Sequence, residues 1–105
     1  MRLVLGTAQF GLNYGIANEI GVVKNLDKIL KFSLRNNLNY LDTAKDYGKS
    51  ETNLGKYNLD KFNVITKIHL SSTLKTMLDK FINERLNDSL KKLNISKIYG
   101  FLMHN

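Results

Sequence analysis

Hydrophobic positions along the 105-residue chain fall into four short runs separated by stretches with a different period. Leu3, Val4 and Leu5 are continuous, between Arg2 and Gly6. A wholly apolar run this short predicts a strand over 2–6, buried on both faces of a parallel sheet. Leu38, Tyr40 and Leu41 make a second short buried strand that ends on a carboxylate, Asp42. Phe62 to Ile68 is a β-branched third strand with Lys67 nearly last, and Ile98 to His104 a fourth that ends on histidine. Between the second and third runs, Gly48 offers an easy turn and Ser50 a helix cap, with Glu51 in the first turn. Elsewhere the period is helical. Leu26, Ile29, Leu30, Ser33, Leu34 and Asn37 recur at i, i+3, i+4 spacing, which predicts a helix over 26–36 capped by Asn25 and stopped by Asn36-Asn37. Leu74, Met77, Leu78, Phe81, Ile82, Leu86, Leu90 and Leu93 predict a longer helix over 73–93, with only Arg85 and Ser89 off the template. Asn94 suits a left-handed cap at its end. Residues 7–21, bordered and interrupted by glycine, read as a loop with room for a small hairpin.

The predicted order is β-α-β-α-β-α-β in one domain, residues 1–105, and such alternation implies right-handed crossovers and a parallel sheet. From the residues alone, an open flavodoxin-like sheet and part of a barrel both fit. Gly11-x-x-x-Gly15 is present, but the G-x-G-x-x-G of a dinucleotide-binding βαβ unit is absent.

Composition changes this picture little. Hydrophobic content of 43% and charged content of 24% belong to an ordinary globular protein. No apolar run approaches the roughly 20 residues of a membrane span, and the apolar run at the N-terminus is too short for a signal peptide. The absence of cysteine excludes disulfides and fits a cytoplasmic protein. Net charge is +7, yet the lysines are scattered, the longest basic run is Lys91-Lys92, and aromatic residues are not interleaved with a basic patch. Nucleic-acid binding is therefore disfavoured against a solvated lysine surface. Metal binding is disfavoured too, because the two histidines are 35 residues apart and no cysteine or carboxylate cluster has a ligand-like spacing.

Candidate chemistry gathers at the strand ends. Asp42, Lys67 and His104 stand at or next to predicted strand C-termini, and Tyr47 on the loop after one. In a parallel sheet those ends share one edge, where barrel active sites lie. Taken singly, each has a plainer reading: Asp42 as a turn residue, Tyr47 as a packed loop aromatic, Lys67 as a snorkelling strand end and His104 as a loose terminus. His69 reads as loop or solvent.

The run Asp42-Thr43-Ala44-x-x-Tyr47-Gly48-x-Ser50-Glu51 resembles the signature of the aldo-keto reductase family. Leu5-Gly6-Thr7-Ala8-Gln9-Phe10-Gly11, Ile65-Thr66-Lys67 and Phe101-Leu102-Met103-His104 are similar to other segments of that family, in the family's order. The resemblance implies the N-terminal half of a (β/α)8 TIM barrel, ending just after the fourth strand. It implies NAD(P)H-dependent reduction of a carbonyl to an alcohol, with NADPH or NADH as cofactor. Tyr47 is then the general acid. A phenol of pKa about 10 is a poor acid at neutrality, so Lys67 is expected to stabilise the phenolate and Asp42 to keep Lys67 charged and aimed. His104 would donate to or orient the substrate oxygen. Thr7 and Asp42 are the expected cofactor contacts. The segment from Gly6 to Gly21 resembles members linked to surface-sugar synthesis, which makes a sugar-like carbonyl the analogous substrate. The alternative reading is a truncated, non-catalytic barrel fragment that acts only by association.

Four strands of a barrel leave two open edges, so the isolated chain is expected to dimerise or aggregate. The apolar faces of Val4, Leu41, Ile65 and Leu102 are expected to lack partners.

Overall fold

The computed structural model describes residues 2–13, 23–70 and 77–104. Four strands, β1 (Leu5–Gly6), β2 (Tyr40–Asp42), β3 (Asn63–Ile68) and β4 (Gly100–Met103), form one sheet in sequence order, every pair parallel. The connections carry a short 3-10 turn (Ala8–Phe10) and the helices α1 (Leu26–Arg35), α2 (Ser50–Leu54) and α3 (Leu78–Leu93). This is the expected alternation, with the parallel sheet that it implies.

Burial along β3 alternates strictly. Val64, Thr66 and Ile68 are buried, whereas Asn63, Ile65 and Lys67 are half-buried on the opposite face. Side chains two apart share a face, so one side of the sheet packs against helices and the other stays partly open. Leu41, Val64, Leu26, Leu30, Leu54, Leu93, Phe10, Leu59 and Phe62 form the core on the helical side. Leu41 is fully buried there, contrary to the expectation that it lacks partners, because α1 and α2 supply them.

The first strand departs furthest from its sequence pattern. Only Leu5 and Gly6 pair with β2, and Leu3 and Val4 are about half exposed. The expected burial on both faces fails because β1 is an outer strand with a single neighbour.

The long helix ends as expected, on Asn94 in the left-handed conformation at φ 54°, whose N–H bonds to the carbonyls of Leu90 and Lys91. Its described start is Leu78, with Met77 as the residue before it. The expected first turn, including Leu74, lies outside the described residues. Ser89 is fully buried although the apolar template leaves it out. It sits one turn before Lys92, where α3 backbone approaches α2 so closely that a Cβ on Gly55 would meet the Lys92 carbonyl. Small side chains are required there. Neither expected N-cap is made: Asn25 forms no side-chain cap bond, and Ser50 is the first residue of α2 rather than the residue before it. Among the described residues no helix is long and apolar enough to cross a membrane.

Candidate active site

The C-terminal ends of the strands converge because the parallel ladder continues past them. Thr7 donates its N–H to Asp42 O (3.0 Å), Thr43 to Ile65 O (2.8 Å), Lys45 to Lys67 O (2.9 Å) and His104 to Ile68 O (2.8 Å). Each residue at this edge is thus tied to the strand beside it.

Lys67 stands at the centre. Its side chain projects from the open face of β3, the same side as Ile65. Nζ donates to both carboxylate oxygens of Asp42 at 2.8 and 2.7 Å and to the Thr43 carbonyl at 3.0 Å. These three acceptors match the three protons of an ammonium. Lys67 is 15% exposed and Asp42 31%, so the pair is shielded yet open on one side. Nζ also lies 5.2 Å from the centroid of the Tyr47 ring. The cation thus meets the π face, and no hydrogen bond joins it to the Tyr47 hydroxyl. The imidazole of His104 packs edge-on against the same ring, with centroids 5.6 Å apart. All four sequence-selected residues, Asp42, Tyr47, Lys67 and His104, are therefore brought together.

Tyr47 is placed by a turn whose fit is set by backbone. Gly48 has φ 57°, a region glycine enters without strain. Gly11, from the loop after β1, lies so close that a Cβ there would fall 2.0 Å from Tyr47 O and 2.1 Å from Ser50 N. Beneath the turn is a buried hydroxyl cluster. Ser50 Oγ lies 2.9 Å from Thr7 O, 3.1 Å from Thr7 Oγ1 and 3.0 Å from Thr43 Oγ1. This explains why Ser50 does not cap α2: its hydroxyl is engaged across the loop. Asn53 Nδ2 donates to Phe10 O at 2.7 Å, and Thr66 Oγ1 donates to buried Glu51 at 2.7 Å. Thr7 is fully buried, and its hydroxyl donates to Asp42 O at 2.9 Å.

Two acids near the site escape a reading of the sequence pattern. Asp46 Oδ2 lies 3.6 Å from His104 Nδ1, an ion pair when the imidazole is protonated. Asp88, on α3, accepts from Lys45 Nζ at 2.9 Å and pairs with Lys92 at 3.0 Å, so α3 holds the loop two residues before Tyr47. The hydrogen bond from Lys45, then that from Lys92, hold the Asp88 carboxyl below its ordinary value, against a weaker effect of burial. Only the charged neighbour Asp46-Tyr47 is visible in the sequence; the Asp88 contact spans 43 residues.

A cavity of about 470 Å³, lined by Arg2, Leu3 and the segment Asn36 to Tyr40, lies at the opposite, N-terminal ends of β1 and β2.

The family model described as the aldo/keto reductase family matches residues 2–105. The chain belongs to the aldo/keto reductase family. Among solved structures, an aldo-keto reductase of Pseudomonas aeruginosa superposes with a TM-score of 0.78 at 22% identity, over 97% of this chain and 42% of that one. A second structure of an aldo-keto reductase from the same organism gives 0.74 at 23%, over 97% and 40%. A thermostable aldo-keto reductase solved with the inhibitor epalrestat gives 0.66 at 21%, over 96% and 37%. At these identities the likeness is one of fold, and the chain spans about two fifths of the structures it matches. No curated protein sequence matches. The aldo/keto reductase fold accounts for the arrangement seen: four parallel strands alternating with helices correspond to the N-terminal part of that family's barrel.

Proposed function

We propose that this polypeptide carries the proton-transfer portion of an NAD(P)H-dependent carbonyl reductase of the aldo-keto type, acting in the cytoplasm. The observation that supports this best is the Asp42–Lys67 pair held against the Tyr47 ring, with His104 on the ring's edge. Such a constellation suits protonation of a carbonyl oxygen. Tyr47 gives its phenolic proton to that oxygen. The Lys67 ammonium stabilises the phenolate left behind, and Asp42 keeps the ammonium charged in its partly buried place. His104 offers a ring N–H to the same oxygen and fixes its direction.

A bound nicotinamide cofactor supplies the hydride. The residues fit it in part: Asp42 keeps about a third of its side chain exposed, so the Asp42–Lys67 pair can be reached from outside. Thr7 is fully buried, so its part is to pin the Asp42 carbonyl rather than to touch the cofactor directly. A sugar-like carbonyl remains the substrate class in this reading.

The test is Tyr47→Phe in the protein as the cell makes it. Carbonyl reduction is expected to fall by at least about a hundredfold, as for loss of a general acid, with cofactor affinity close to unchanged. An undiminished kcat would remove Tyr47 from the mechanism.

A further inference from the structure

We propose that Asp88 is a positioning residue: through its ion pair with Lys45 it fixes the loop that bears Tyr47 against α3. Its link to catalysis rests on the carbonyl-reductase reading above, whereas the contact itself does not.

Tyr47 has to be aimed by something other than its own side chain. Its ring meets the Lys67 ammonium 5.2 Å from its centroid and the His104 imidazole with centroids 5.6 Å apart. Neither contact has the directionality of a hydrogen bond, so the backbone that carries the phenol sets its direction. That backbone leaves the sheet at Lys45, whose N–H donates to Lys67 O at 2.9 Å. Beyond it the turn closes on itself: Tyr47 N–H donates to Ala44 O at 3.1 Å, and Ser50 N–H to Tyr47 O at 3.0 Å.

At Lys45 the side chain adds a second tie, with Nζ donating to Asp88 Oδ2 at 2.9 Å. This pair differs from those within a single helix. Lys31–Asp27 and Lys80–Glu84 are more than half exposed on both partners, whereas the Lys45 side chain is 21% exposed. Solvent screening weakens the first kind far more than the second. The far end of the tie is also firm. Asp88 adjoins Ser89, which is fully buried, and pairs one turn on with Lys92 at 3.0 Å. The Lys45 hydrogen bond, then that of Lys92, hold its carboxyl below the ordinary value, so it stays charged at neutral pH. In the chain α3 joins β3, which presents Lys67, to β4, which runs into His104. One carboxylate thus ties the Tyr47 loop to the connection between the strands that place the other groups.

The two cations on Asp88 Oδ2 supply a matched control. Lys45 and Lys92 lie 2.9 and 3.0 Å from the same oxygen, but Lys92 belongs to α3 and holds no loop. Lys45→Met, Lys92→Met and Asp88→Ala are compared in the protein as the cell makes it. Amide exchange of Tyr47 is expected to quicken about tenfold in Lys45→Met and Asp88→Ala, and to keep the parent's rate in Lys92→Met. With NADPH and glyceraldehyde, the smallest sugar-like carbonyl, kcat is expected to fall about tenfold in the same two variants while KM stays within about twofold. Lys92→Met should keep the parent's kcat. Lys45→Met combined with Asp88→Ala should be no slower than either alone, since both cut one tie. Unchanged Tyr47 exchange in Lys45→Met and Asp88→Ala would overturn the proposal. So would a loss in Lys92→Met equal to theirs, which would make the cluster a stabilising one only, or a change confined to KM. A parent that oxidises no NADPH with glyceraldehyde would count against the carbonyl-reductase reading, and the exchange rates would still decide whether Asp88 fixes the loop.

Discussion

Gly11→Ala should unfasten the loop that carries Tyr47. The new methyl would fall 2.0 Å from Tyr47 O, 2.1 Å from Ser50 N and 2.8 Å from Lys49 N. All three are backbone atoms, so no side-chain rotation relieves the clash. The loop after β1 must move by more than an ångström away from the turn, and that breaks the 2.7 Å bond from Asn53 to Phe10 O and strains the Ser50–Thr7 contacts. Overpacking of this kind costs about 1–3 kcal/mol, and each lost buried hydrogen bond adds roughly 1 kcal/mol. A total of about 3 kcal/mol is a large share of the 5–15 kcal/mol that a typical domain has. With a urea slope of about 1–1.5 kcal/mol per molar for a chain of this size, the midpoint should fall by roughly 2 M. The assay is urea unfolding by far-UV circular dichroism at fixed protein concentration. Gly6→Ala is the control, since a Cβ there meets nothing within 4 Å; it should leave the midpoint within about 0.5 M, with any gain coming from a stiffer unfolded chain. Equal midpoints for the two variants would refute the close-approach argument.

Lys67→Met leaves the Asp42 carboxylate partly buried without its cation, which should cost about 1–3 kcal/mol in stability and abolish carbonyl reduction; a variant as stable and active as its parent would make Lys67 a bystander. Asp88 bears on pH. Its folded value lies below the unfolded one, so its contribution is complete above about pH 4 and is lost as pH falls through the lower folded value. The carboxyl is two fifths exposed, so solvent limits that contribution to about 0.5–1 kcal/mol. Asp88→Asn should therefore be less stable than the parent at pH 7 and converge with it as pH falls through the lowered folded value, read from unfolding curves across pH. Ser89→Ala removes a buried hydroxyl that has no hydrogen-bond partner, so it should be neutral or stabilising by up to about 1 kcal/mol; a loss of that size would reveal a bond.

Periodicity was enough to recover the alternation of parallel strands with helices, the left-handed Asn94 and the strand-end placement of Asp42, Lys67 and His104, but not the order of the strands in the sheet. Each of those follows from local pattern plus the single rule that parallel strands share an edge. What the pattern could not resolve depends on the neighbour across space. Leu3-Val4-Leu5 has the hydrophobicity of a central strand, but centrality belongs to the sheet and not to the segment. Ser50 looks like a cap because three-residue context permits one; Thr7 and Thr43, 43 and 7 residues away, claim its hydroxyl instead. Ser89 breaks an apolar template because the constraint there is the distance between two helix backbones, which selects size over hydrophobicity. Asp88 and Asp46 look like ordinary surface acids until the loop and α3 are packed together.

The ladder that runs on beyond the strands couples the chemistry to the mechanics of the sheet. Because Thr43, Lys45 and His104 each hang from the neighbouring strand by one backbone bond, the site has no hinge of its own. Displacement of the Lys67 backbone relative to that of His104 requires β3 and β4 to shear. The amide protons of those three residues should then exchange with solvent at the pace of the sheet rather than of a loop, and a stiffening of β3–β4 far from the substrate edge would register in the alignment of the reacting groups.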